Sequence, residues 1–183
     1  MKISKVRILI FFAFAAVLCG LPLMKVSAQD NPITDQQIQR IKDNCLSTKS
    51  TLNQLHASDG LLRVNRGQIY ESMSTMLMDG FNHRLSNNKL DNNNLVAITN
   101  SYDSTLDVFR SNYKTYEEHL SSAIGIDCLK QPVSFFDALS VASADRTRVH
   151  DVIIKLNQYV DQYQAAVSQF EKDYQGSSAG TNN

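Results

Sequence analysis

The chain has 183 residues, with 18 Lys and Arg against 18 Asp and Glu, three Cys, seven Gly, three Pro and no Trp. Lys2, Lys5, Arg7 and Lys25 lie in an N-terminal segment expected to be removed, which leaves 14 basic against 18 acidic side chains and a net charge of −4. A mildly acidic chain without a basic block has no footprint for nucleic acid, whose recognition needs clustered Lys and Arg. So few Gly and Pro, set among regularly spaced apolar residues, also exclude a collagenous or generally disordered chain.

The first segment reads as an address. MKISKVR is basic, ILIFFAFAAVL is continuously apolar, and LPLMKVSA closes with small residues before Gln29. This is the pattern of a secretory signal peptide over residues 1–28, with Val26 and Ala28 where the peptidase needs small side chains. Pro22 interrupts an apolar run already short of the roughly 20 residues that span a bilayer. The expected destination is extracellular or facing the cell envelope, with no membrane association unless the signal is retained as an anchor. In such an oxidising compartment Cys45 and Cys128 form an even pair and read as one structural disulfide. They lack CxxC or His spacing for zinc, and no metal or other cofactor is expected.

From Ile38 the chain steps by three and four residues through Ile41, Cys45, Thr48, Leu52, Leu55, Asp59, Leu62, Arg66, Ile69, Met73, Met76, Gly80 and His83. The mean step is the coiled-coil period, and Thr34 or Asp35 supplies an N-cap, predicting a helix over about 35–86. Ser58, Asp59 and Gly60 are the alternative place for a break, but the register runs through them. The polar run NNKLDNNN then reads as a turn, because Asn tolerates left-handed backbone and competes with helical hydrogen bonds.

A second series, Leu95, Ile98, Tyr102, Leu106, Phe109, Tyr113, Tyr116, Leu120 and Ala123, predicts a helix over about 92–124, with a stutter at Tyr102. Pro132 suits a first helical turn. Beyond it Phe135, Leu139, Ala142, Arg146, Val149, Ile153, Leu156, Val160, Tyr163, Val167, Phe170 and Tyr174 predict a third helix over 132–174. The tail from Gly176 to Asn183 has nothing to bury. Short connections between long helices favour antiparallel neighbours. The expected fold is therefore all-α: one domain over 29–175, an elongated antiparallel three-helix coiled-coil bundle running up-down-up, about 60 Å long at 1.5 Å per residue. That geometry brings Cys45 and Cys128 to one level.

Two places break the apolar seam: Asp59 and Arg66 on the first helix and Arg146 on the third. Counting from the disulfide level sets Asp59 against Arg146, with His119, Glu117 and Tyr113 of the second helix around the same height. One reading is a small internal site, with Asp59, Glu117 and His119 as acid, base or cation-binding groups and Arg66 and Arg146 orienting an anion. The other is a structural ion-pair layer that sets register among three similar helices. No Glu-x-x-His pair, His-x-x-x-His, nucleophile elbow or phosphate loop occurs, so no catalytic residue is assigned and an enzyme is not expected. Met73, Met76 and Met78 with Leu77 and Phe81 read as core at seam spacing.

The stretches NCLSTKSTLNQLHASDGLLRVNRGQIYESMSTML and KLNQYVDQYQAAVSQFEKDY resemble segments of uncharacterised exported helical proteins of small-genome candidate-phylum bacteria. The resemblance covers most of the mature chain. It implies export, high helix content and a constant cysteine pair, and it transfers no activity and no site residue. Long helices expose much surface and enclose little cavity, which suits partner recognition better than chemistry in a water-excluded pocket. The expected function is that of a secreted or envelope-associated interaction or spacer module, its partner another envelope or extracellular protein. Self-association is one alternative, and a small-ligand binder or enzyme using the Asp/Arg/His layer is another.

Overall fold

A computed structural model of the chain describes residues 33–179. The expected signal peptide and the last residues of the tail lie outside the described residues. Among the described residues all regular structure is helical: α1 (Asp35–Asp43), α2 (Cys45–Ser72), a π-helical turn (Met73–Met78), α3 (Asp79–Asn87), α4 (Asn93–Gly125) and α5 (Pro132–Ala179). No described helix is long and apolar enough to cross a membrane.

Each boundary has a local cause. Thr34 and Gln37 form a capping box at the start of α1: the Gln37 N–H donates to the Thr34 hydroxyl (3.3 Å) and the Thr34 N–H to Gln37 Oε1 (2.7 Å). Helix α1 stops at Asn44, whose side-chain amide turns back onto the Arg40 carbonyl (2.8 Å). The expected single first helix is therefore interrupted there, while Ser58, Asp59 and Gly60 lie in unbroken α2.

After α3 the chain reverses through a left-handed residue. That residue is Lys89 (φ 58°), not one of the neighbouring asparagines. The Lys89 N–H bonds the Ser86 carbonyl (2.9 Å) and the Leu90 N–H that of Leu85 (3.0 Å), the pairing of a Schellman cap, with Leu85 and Leu90 packed in the core. Helix α5 opens on Pro132 and continues past Tyr174 to Ala179, so the tail read from Gly176 starts as helix.

The most extensive packing is between α4 and α5, with α2 and the π turn resting mainly on α4. Asp59 meets Tyr116, Tyr70 meets Tyr102 and Asn82 meets Thr99, so partner numbers fall along α4 as they rise along the first stretch. Along α5 they rise together, from the Asp59–Arg146 pair to the Asn82–Tyr163 pair. The apolar series of α4 is buried throughout except for half-buried Ile98, and that of α5 supplies Phe135, Ala142, Val149, Leu156 and Tyr163.

The first stretch departs from its heptads beyond Asp59. Leu62, Ile69 and Met76 are exposed, the last at 72%, and the buried positions are instead Tyr70, Ser74, Met78, Asn82 and Leu85. Four-residue steps drift by about 40° each in a regular α-helix. The π turn at Met73–Met78 inserts the extra residue that holds these steps on one face. Of the methionine cluster, Met78 is core, Met73 half-buried, and Met76 and Leu77 face outward.

Three tyrosine hydroxyls tie the two longer helices to main-chain carbonyls of the first stretch. Tyr102 donates to Tyr70 (3.1 Å), Tyr113 to Asp59, and Tyr163 to Met78 (3.0 Å). At the other end Cys45 and Cys128 stand at disulfide distance, with Cα atoms 5.7 Å apart, and form a small core with Phe135. The bridge links residues 83 apart in sequence. Cys45→Ser/Cys128→Ser should stay helical by circular dichroism while losing about 4 kcal/mol in urea unfolding, on the loop-entropy account. A loss below 1 kcal/mol would contradict it.

Burial pushes four buried tyrosines, Tyr102, Tyr113, Tyr116 and Tyr163, above the usual value near 10. Tyr113 rises to about 12, helped by the Asp59 and Glu117 charges, and Tyr163 to about 12, helped by Asp79. Tyr102 and Tyr116 go higher still, Tyr116 with its hydrogen bond to Asp59 added to burial. Above pH 10 the unfolded chain releases these protons first. The stability they contribute is whole below pH 10 and is lost as pH rises through the folded values. Tyrosinate absorbance from these four side chains should therefore appear together with loss of helical ellipticity. Complete ionisation ahead of unfolding would show that the hydroxyls do not hold the helices.

Candidate functional site

Of the expected polar layer, Asp59 and Arg146 meet, while Glu117 and His119 pair elsewhere. Asp59 is 8% exposed in α2. One carboxylate oxygen accepts from the Tyr116 hydroxyl (2.7 Å) and from Arg146 Nε (3.1 Å), and the Asp59 main-chain carbonyl accepts from Tyr113. The Asp59–Arg146 pairing expected from the helix count is present. The carboxylate in turn holds the Arg146 guanidinium more firmly protonated, through the hydrogen bond first.

His119 and Glu117 do not join Asp59. His119 lies on the other flank of α4, where Nδ1 donates to Asp145 Oδ2 (2.5 Å), and Arg148 donates to the second oxygen of the same carboxylate. Asp145 is the most deeply buried charged residue of the core, 1% exposed. Glu117 accepts from Arg63 (2.8 Å) near the surface, and the Arg63 guanidinium lies 5.6 Å from the Tyr113 ring centre. The counting error is angular. Residues at one height on a helix point about 100° apart for each step in sequence, so Glu117 and His119 share the level of Asp59 without sharing its face.

Arg66 is the remaining predicted member. Instead of packing in a seam, it lines a half-open cleft of about 400 Å³ between α2, α4 and α5, together with Asp59, Arg63 and Arg146. Phe109, Tyr113, Tyr116 and Val149 form its apolar wall. His150 and Thr147 stand at its α5 side. Arg66 makes no hydrogen bond, ion pair or ring contact with any described residue.

Sequence reasoning missed Asp145, Arg148, Arg63 and the role of the Tyr116 hydroxyl. Asp145 precedes Arg146 and falls outside the heptad, so periodicity hides it. A carboxylate three residues before Arg148, at helix-neighbour spacing, was the available signal. Tyr116 stands in the apolar series, where its ring is legible and its hydroxyl is not.

Every buried side-chain nitrogen and oxygen among the described residues has a hydrogen-bond partner. No group of three or more His, Cys, Asp or Glu among them is placed to hold a metal ion. Ser121 and His56 face each other at 3.3 Å, but no described carboxylate orients His56, so the pair lacks the third group of a nucleophilic triad. Comparison with protein-family models, with curated proteins and with solved structures finds no match to this chain.

The satisfied Asp59 cluster is what a register-setting layer requires, and it can be tested as one. Asp59→Leu alone strands the Tyr116 hydroxyl and should cost about 2 kcal/mol in urea unfolding. Asp59→Leu/Tyr116→Phe/Arg146→Met removes the whole cluster and should be about as stable as the parent, because replacing every partner leaves nothing unpaired. A triple variant as damaged as the single one would mean that the layer itself supplies net stability.

Proposed function

We propose that the protein is an exported, disulfide-stapled binding module. Its architecture on this reading is an elongated three-helix coiled coil running up-down-up, which presents one long helix to another envelope or extracellular protein. The order of contacts along α4 and α5 supports the architecture. Cys45 and Cys128 at disulfide distance are compatible with an oxidising destination. The resemblance of the helical segments to exported proteins points the same way.

One observation carries the binding role. Leu61 (70% exposed), Val64 (51%), Ile69 (56%), Met76 (72%) and Leu77 (61%) follow one another along the outer side of α2 and the π turn. Ile69, Met76 and Leu77 border a shallow hollow with Asn65, Gln68 and Ser72. Scattered exposed apolar residues need no explanation, but a row along one helix marks an interaction face. The π turn that keeps Ser74 and Met78 on the buried side with Tyr70 is also what directs Met76 and Leu77 outward. Met side chains adapt to irregular partners.

The test is capture of partners from native envelope extract by the oxidised chain from Gln29 to Asn183, parent against Leu61→Glu/Leu77→Glu, with sedimentation of each alone. Both positions are exposed, so the variant should keep the parent's unfolding midpoint and lose one dominant captured protein by at least about tenfold. Capture unchanged by the substitutions would sink this face as the binding surface. A concentration-dependent dimer of the parent that the variant abolishes would replace the foreign partner with a second copy.

A further inference from the structure

The cleft beside Asp59 holds more positive charge than the layer needs. Asp59 answers Arg146 and Glu117 answers Arg63. Arg66 projects into the same space and answers nothing among the described residues. An arginine whose only local structure is an open cleft contributes nothing to register, which the Asp59 cluster already sets. Nor does it serve solubility better there than elsewhere on the surface.

The remaining surroundings describe what would complete it. The cleft is of ligand size, about 400 Å³. Its floor and wall are rings and aliphatic groups: Phe109, Tyr113, Tyr116, Val149 and Ile153. Leu62 at the edge is 45% exposed, so an apolar surface is left open to water next to an unanswered guanidinium. Three guanidiniums against two carboxylates leave one positive charge to be met.

We propose that this cleft binds a small organic monoanion, a carboxylate carried on an apolar ring or chain. The carboxylate sits on Arg66, with Arg146 beside it, and the apolar body covers Leu62 and the tyrosine wall. Arginine suits the task because its planar donors match both carboxylate oxygens. A multiply charged phosphate would bring charge the cleft does not balance and no apolar surface to cover Leu62. This site is separate from the outer row of Leu61, Met76 and Leu77, and it stands whether or not that row binds a protein.

The experiment is fluorescence titration with 2-naphthoate, using 2-naphthamide as the neutral isostere, on the parent, Arg66→Ala, Arg66→Lys and Leu61→Glu/Leu77→Glu. The parent should bind naphthoate saturably at one site and the amide at least about tenfold more weakly. Arg66→Ala should lose about tenfold for naphthoate with its unfolding midpoint unchanged, since the side chain supports no other contact. Arg66→Lys should recover part of that loss, because the charge is kept and the paired geometry is not. The Leu61→Glu/Leu77→Glu variant should bind like the parent, which separates the cleft from the outer apolar row. Naphthoate that fails to bind the parent, binds it no better than the amide, binds Arg66→Ala equally well, or is lost in Leu61→Glu/Leu77→Glu overturns the proposal.

Discussion

The first helical stretch is held by hydroxyls as much as by hydrocarbon. Tyr102, Tyr113 and Tyr163 each bury a ring between helices and end on a main-chain carbonyl of that stretch, and Tyr116 ends on the Asp59 carboxylate. A buried phenol that misses its acceptor costs more than the bond contributes when made. Helix height is therefore specified at three levels, at Asp59, at Tyr70 and at the Met78–Asn82 turn. Apolar heptads alone would permit neighbouring registers at little cost.

The π turn follows from the same constraint. The single Tyr163 hydroxyl proton is shared between the Met78 carbonyl and the Asn82 amide oxygen, and Asn82 also donates to Thr99. Bringing Tyr70, Ser74, Met78 and Asn82 to one side needs successive four-residue steps that a regular helix does not keep aligned. One wide turn satisfies them and rotates the intervening residues outward. The exposed Met76 and Leu77 are thus a consequence of how the core is satisfied.

Charge is distributed by the same logic. Asp59 and Asp145 are buried and each is met by two side-chain donors, one pair on each flank of α4. Asp59, Arg146 and His119 all have side-chain partners in these clusters. They leave Arg66 outside, in a cleft whose walls are formed by the very tyrosines that hold the helices together. Arg66 follows Asp59 on the same helix at a distance of seven residues.

Helix content, the cap at Thr34, the start at Pro132, the cysteine pair and the apolar faces of α4 and α5 were legible in the residues, because each depends on local geometry or on a period that its own helix preserves. The Asp59–Arg146 contact was legible too, since a count from the disulfide level needs only a constant rise per residue. The break at Asn44, the left-handed Lys89, the π turn and the buried Asp145 were not. Asn44 and Lys89 sit where hydrogen bonds to a previous turn outweigh propensity, and Lys is no usual left-handed residue. The π turn arises only when packed helices must satisfy one another's hydroxyls and carbonyls at once. The sequence by itself determined that the fold is helical and the height at which Asp59 meets Arg146. Only the tertiary structure decided which way the side chains beyond Asp59 on the first stretch face, because the π turn demanded by partners on other helices changes their angle and no single period records it.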